Sequence, residues 1–225
     1  TPNTTDKQNK RYRYGNQPNI GLWNLYQLAN ALYPIIEEVE PLNEILTQYK
    51  NDFETKSLAM MKSKLGLFTN NKNDLGIIQN LEDTLQLVET DMTIFFRNLS
   101  NFSIENSSLS IIEDAFYDLE NISDEVKKLW NSWLNVYKER IKKETLSNKE
   151  RKQKMDSVNP KYVLRNYMSQ LAIDEADKGN YNLIDELFQL LKKPYDEQPK
   201  NQKWFAKRPE WARNKVGCSM LSCSS

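Results

Sequence analysis

The stretch from Ile77 to Leu99, IIQNLEDTLQLVETDMTIFFRNL, carries apolar residues at helical spacing. Ile77, Leu81, Leu85, Val88, Met92, Phe95 and Leu99 step by four or three. The spacing predicts one amphipathic helix whose stripe is a core face; a partner groove is the weaker alternative. Upstream, Leu22, Leu25, Leu28, Ala29 and Leu32 repeat the period from Ile20, and Pro34 is expected to end or kink that run. Pro41, where a missing N–H costs little, opens a second helix through Leu42, Ile45, Leu46, Tyr49, Phe53, Leu58 and Met61, with Gly66 as its stop.

Downstream, Val126, Leu129, Trp130, Trp133, Val136, Tyr137 and Ile141 predict a helix with heavy aromatic burial. Asn159-Pro160 reads as another helix start, with Asn as cap and Pro in the first helical position. Val163, Leu164, Tyr167, Met168, Leu171 and Ala172 follow, and Gly179 is the stop. A short helix from Leu183 to Leu191 ends before Pro194, and the Pro-, Lys- and Trp-rich residues beyond have no helical period. With no repeat and no alternating strand, the chain is expected to be mainly α. Its core should draw on Leu25, Leu28, Leu81, Leu85, Val88, Trp133, Leu164 and Tyr167.

Composition narrows the chemistry. Two hundred and twenty-five residues can bury a sizeable core. Lys+Arg and Asp+Glu balance at 31 each, so net charge gives no reason to expect nucleic acid. No histidine is present, which removes the commonest general base and metal ligand. Two cysteines are too few for a structural zinc site. No Gly-rich phosphate loop occurs, although a magnesium–phosphate site built from Asp and Asn remains chemically open. No apolar run reaches the length of a membrane span. The polar first residues do not read as a signal peptide, and a start at Thr1 suggests a fragment or processed product. Five Asn-x-Ser/Thr sequons, at Asn3, Asn98, Asn101, Asn106 and Asn121, read as accidents of composition.

Four groups could carry function. Arg11, Tyr12, Arg13 and Tyr14 could hold an anion, but cation–π stacking of a loop is the better reading. Arg165 beside a buried stripe calls for a carboxylate partner. Trp204, Phe205 and Trp211 among lysines and arginines could bind single strands; docking of the tail by its aromatics is preferred. The acidic block 100–125 and the basic block 138–156 read as solvated faces around a variable loop. Cys218 and Cys223 are five apart, and Cys223, between serines near the terminus, is the more accessible thiol.

Arg11-Tyr12, Asn16-Gln17-Pro18, Trp23-Asn24-Leu25, Leu65-Gly66, Phe96-Arg97, Asn159-Pro160, Val163-Leu164-Arg165-Asn166, Ala172-Ile173, Pro209 with Trp211, and the Ser222-Cys223-Ser224-Ser225 end stand in one order. In these blocks the chain resembles the selenoprotein O family, kinase-like proteins that act as protein adenylyltransferases. The resemblance implies the C-terminal part of a kinase-like fold: the rest of its C-lobe with a helical region over 1–145, a helical segment over 146–195 and an irregular redox tail over 196–225. It implies AMP transfer from ATP, with magnesium or manganese, onto Ser, Thr or Tyr of protein substrates. The family's catalytic, nucleotide-binding and metal-binding elements precede the Arg-Tyr…Asn-Gln-Pro block, so none is carried onto a position here, and this chain alone is expected to be inactive. Cys223 matches the family's selenocysteine or cysteine position, which implies a redox role. Pro2 falls roughly where a partner cysteine would be, leaving Cys218 as a local candidate. No nucleic-acid or membrane partner is implied. Location would be mitochondrial in a eukaryote, the favoured case, or cytoplasmic in a bacterium. The alternative is a free-standing, non-catalytic helical interaction module.

Overall fold

A computed structural model describes residue 11 and residues 13–218. Packing sorts them into two units: Met60–Pro209, and the described residues up to Ala59 together with those from Glu210 on.

In the smaller unit a 3-10 turn, Tyr14–Asn16, leads into α1 (Gln17–Ile36). The helix starts earlier than the Ile20 period suggests because Pro18 sits in its first turn, where its missing N–H is no loss. Pro34 neither ends nor breaks it at once. The chain runs on to Glu37, whose left-handed backbone (φ 59°) donates its N–H to the Tyr33 carbonyl at 2.8 Å. Helix α2 (Glu40–Lys64) follows, with its last residues in the larger unit. A Cβ on Gly21 would lie 2.6 Å from the Tyr49 hydroxyl, so glycine there admits the tyrosine between the helices. No residue of α1 or α2 is buried. Leu28, expected in the core, is 53% exposed, and Leu25 is only half-buried. Among the described residues past Glu210, Ala212 and Cys218 are buried.

The larger unit holds α3 (Asp74–Leu85), α4 (Met92–Leu99), α5 (Asp124–Ile141), α6 (Asn148–Val158), α7 (Asn166–Ala176) and α8 (Asn182–Leu191). A 3-10 segment, Pro199–Trp204, follows. Gly66 ends α2 at φ 67°, a conformation that suits glycine. The core is aromatic: Trp130 touches the Phe116 ring at 5.3 Å and Phe95 at 5.6 Å between centroids, and Trp133 stacks on Tyr137 at 5.1 Å. Leu81, Leu99, Phe102 and Ile112 close around them, each 0% exposed.

The single helix expected over 77–99 is two. Asp91 breaks it by accepting the Ile94 N–H at 3.1 Å as an N-cap, while its own N–H goes to the Ala115 carbonyl at 2.8 Å. Thr90 bridges Phe116 in antiparallel fashion. Leu85 and Val88 are consequently half-buried and Met92 is 46% exposed. The helix start at Asn159 is also corrected: Asn159 caps the C-terminus of α6. Its side chain is spent on Lys64, donating to that carbonyl at 2.9 Å and accepting from the ammonium at 3.0 Å. The chain runs on irregularly, held where the Lys161 and Tyr162 N–H groups meet the Pro194 carbonyl, and α7 begins only at Asn166. Leu164 lies outside any helix and is 53% exposed. Apart from that one bridge the described residues contain no strand. No helix among them is long and apolar enough to cross a membrane.

Candidate functional site

Polar chemistry in the larger unit is gathered into buried ion-pair clusters. In the first, α5 delivers Arg140 and the turn after it Glu144. Arg140 Nε meets Asp74 Oδ1 at 2.6 Å, Nη1 meets Glu144 Oε1 at 2.6 Å, and Nη2 reaches the Thr69 carbonyl at 2.8 Å. Burial works to raise the Asp74 and Glu144 carboxyls. Hydrogen bonds outweigh it, from Arg140 and Lys62 to Asp74 and from Thr69 and Arg140 to Glu144, so both lie below the usual carboxylate range.

The second cluster centres on Arg97 of α4. Its guanidinium donates to the Asp156 and Asn159 carbonyls, both at 3.0 Å, and meets Glu197 at 2.6 Å. Glu197 also takes the Lys161 ammonium at 2.7 Å. Hydrogen bonds from Lys161 and then Arg97 hold the Glu197 carboxyl down at about 2.

A third cluster joins Arg165 to Asp91 through both terminal nitrogens. The carboxylate that Arg165 called for is thus the cap of α4. Tyr117 lies 3.5 Å from Asp91 and accepts the Arg208 N–H at 3.0 Å. Burial first of all raises the Tyr117 phenol. Lys207 donates to the Phe116 carbonyl at 2.5 Å, and Arg208 pairs with Glu89 at 2.9 Å. The start of the tail is thereby docked. Trp204 is buried too, with its N–H on Glu186 at 2.7 Å, whereas Trp211 is 48% exposed.

Arg151 is the remaining buried guanidinium. It meets the Tyr137 hydroxyl at 3.1 Å and the Phe102 carbonyl. Desolvation pushes the Tyr137 phenol up to about 12. The basic block 138–156 is therefore not wholly a solvated face, since it sends Arg140 and Arg151 into the core. Both stand in register with apolar neighbours, Arg140 seven residues after Trp133 and Arg151 four before Met155. That placement is the signal by which sequence could have found them; Glu197 and Tyr117 offer none.

These carboxylates are each committed to a guanidinium or ammonium. No group of three or more His, Cys, Asp and Glu is disposed to hold a metal among the described residues. The donor set on view therefore does not fit a magnesium–nucleotide site. In the smaller unit the Arg11 guanidinium lies 4.3 Å from the Trp23 ring centroid, as loop stacking requires, and Asn16 donates to the Arg11 carbonyl at 2.8 Å. A groove of about 710 Å³ between α1 and α2 is lined by Asn19, Leu22, Trp23, Tyr26, Leu46 and Lys50, among others. Cys218 is buried; Tyr12 and Cys223 lie outside the described residues.

Comparison with known proteins gives the chain its relations. It is 59% identical over 228 residues to the Protein nucleotidyltransferase YdiU of Flavobacterium johnsoniae, covering all of this chain and 44% of the relative. The proteins of that name from Aromatoleum aromaticum and Rhodopirellula baltica are 47% and 42% identical, with 43% and 44% of their lengths covered. The chain thus spans less than half the length of the curated relatives it matches. The family model described as Protein adenylyltransferase SelO matches residues 1–192, and the chain belongs to that family.

Proposed function

We propose that this chain is the C-terminal part of a protein adenylyltransferase that moves AMP from ATP, with magnesium or manganese, onto Ser, Thr or Tyr hydroxyls of protein substrates. In this reading the nucleotide chemistry belongs to the part of the longer relatives that the chain does not match. The observation that carries it is the family match over 1–192, joined to a coverage of only 44% of the first relative. The engagement of the buried Asp74, Glu144 and Asp91 carboxylates in ion pairs supports the same division of labour. The helices described are the remainder of a kinase-like C-lobe with its helical extension. The divisions after 145 and 195 separate family segments.

Cys223 is assigned a redox role, with Cys218 as its local candidate partner. Mapping iodoacetamide adducts on the reduced chain tests the ranking of the thiols: the burial of Cys218 predicts slower labelling there, and equal labelling would contradict it. No nucleic-acid or membrane partner belongs to the reading. Location in this reading follows the source organism, mitochondrial in a eukaryote and cytoplasmic in a bacterium.

Labelled ATP, both metals and a generic protein acceptor test the activity. The full-length Flavobacterium johnsoniae relative should transfer label and the isolated chain should not exceed a heat-killed control. Transfer by the isolated chain overturns the division of labour; no transfer by either overturns the activity.

A further inference from the structure

Three lysines drawn in from the surface of the larger unit meet carboxylates. Lys62 meets Asp74 at 3.2 Å, Lys152 meets Asp156 at 2.9 Å and Lys161 meets Glu197 at 2.7 Å. Lys64, the last residue of α2, is half-buried and meets none among the described residues. Its ammonium donates to the neutral Asn159 Oδ1 at 3.0 Å and stands 4.7 Å from the Phe96 ring centroid. An amide and a ring face replace only part of the water that the ammonium has lost. The charged groups on the neighbouring elements are committed elsewhere: Lys62 of α2 to Asp74, Arg97 of α4 to Asp156 and Glu197, and Lys152 of α6 to Asp156. With burial unopposed by a carboxylate, the Lys64 ammonium falls below the ordinary lysine range.

We propose that Lys64 is a nucleophilic amine and a site of acylation, taking a small acyl group from an acyl phosphate. The free Nζ attacks the carbonyl carbon. As the N–C bond forms, the C–O bond to phosphate breaks and phosphate leaves with the electron pair. The surplus proton of the amine passes to water, and nothing is oxidised or reduced. Two observations select the donor. Nζ is flanked by Phe96 and Asn159, which are both buried, so a short acyl group is accommodated more readily than a long one. Lys64, Arg97, Lys152 and Lys161 are joined through Asn159, Asp156 and Glu197, so four cations face two carboxylates. That excess attracts an anionic donor. The product amide is uncharged, so acylation removes the charge that Phe96 and Asn159 hold. The inference does not depend on AMP transfer.

Limiting labelled acetyl phosphate on the full 225-residue chain tests this, with acetylated lysines quantified by peptide mass across a pH series. Near about pH 7, Lys64 should be acetylated several-fold faster than the exposed Lys72 and the carboxylate-paired Lys62. The Lys64-to-Lys72 ratio should fall toward one by about pH 10, where amines in general lose their protons. A ratio that stays constant with pH reports access alone and overturns the proposal, as does Lys64 labelling no faster than Lys72 near neutrality. In denaturing urea the preference should vanish. A ranking that survives there belongs to the local sequence and overturns the proposal too. Asn159→Asp places a carboxylate beside the ammonium and should cut Lys64 acetylation several-fold while leaving Lys72 unchanged. An unaltered Lys64 rate in that folded variant contradicts the argument from the missing carboxylate. If the variant does not fold, the pH series on the native chain decides.

Discussion

The α1–α2 pair is richer in apolar side chains than residues 60–209, but the two regions place them differently. In the larger unit Trp130, Phe95, Phe102, Phe116 and Tyr137 are each 0% exposed, and the guanidiniums beside them are paired. In α1 and α2 no residue is buried. Apolar residues recur at helical spacing in both regions. A period therefore announces a face and says nothing about what covers it; that depends on contacts distant in sequence.

The sharpest break between the regions should come from ring removal. Trp130→Ala takes away a side chain that touches Phe95, Phe116 and Trp133, and should cost about 3–5 kcal/mol. Tyr26→Ala, at a 51% exposed site, should stay within about ±0.5 kcal/mol in the isolated chain. Urea midpoints of the two variants, read with unchanged slopes, would decide; equal losses would erase the contrast.

Glycines give a second, smaller comparison. At Gly66 a methyl group would meet Met155 at 2.7 Å and Arg151 at 3.0 Å, in a left-handed backbone. Gly66→Ala should therefore destabilise by more than about 1 kcal/mol. Gly21→Ala meets only the hydroxyl end of Tyr49, which can swing aside, and it sits in a helix where alanine is preferred. Thermal melts should rank Gly66→Ala well below Gly21→Ala; the reverse order would contradict the packing described.

The smallest effect is electrostatic. Glu197 has its carboxyl depressed to about 2 by Lys161 and Arg97, against 4.5 for the ordinary group. Its contribution is present above the ordinary value and is lost as pH falls through about 2. Because the side chain is 62% exposed, solvent screening keeps the contribution modest. Glu197→Gln should flatten the decline in stability of residues 60–209 between about pH 5 and pH 2. An unchanged slope would show that the pairs with Lys161 and Arg97 contribute nothing.

Much of the helical layout was legible because local chemistry and packing agree. Ser123 and Asp124 open α5 where Val126 begins its stripe, and Gly66 and Gly179 both take the left-handed backbone expected of helix stops. The break at 86–91 was hidden because Leu85, Val88 and Met92 keep the helical step, while the Ala115 carbonyl and Phe116 that interrupt it lie over twenty residues away. Asn159-Pro160 misled for the same reason: a good local cap lost to Lys64, ninety-five residues distant. Of the candidate sites, the partner of Arg165 was legible as a kind of residue, but not as Asp91. The clusters around Arg97 and Arg140 needed the fold itself.

Limited chymotrypsin digestion of the isolated chain, mapped by mass, tests the contrast most directly. Cleavage requires local opening, which is cheap where few apolar contacts are buried. The first cuts should fall at Trp23, Tyr26, Tyr33 and neighbouring sites in α1 and early α2, leaving a persistent product that contains residues 60–209. First cuts within α5 or α6, or simultaneous loss of both regions, would contradict it.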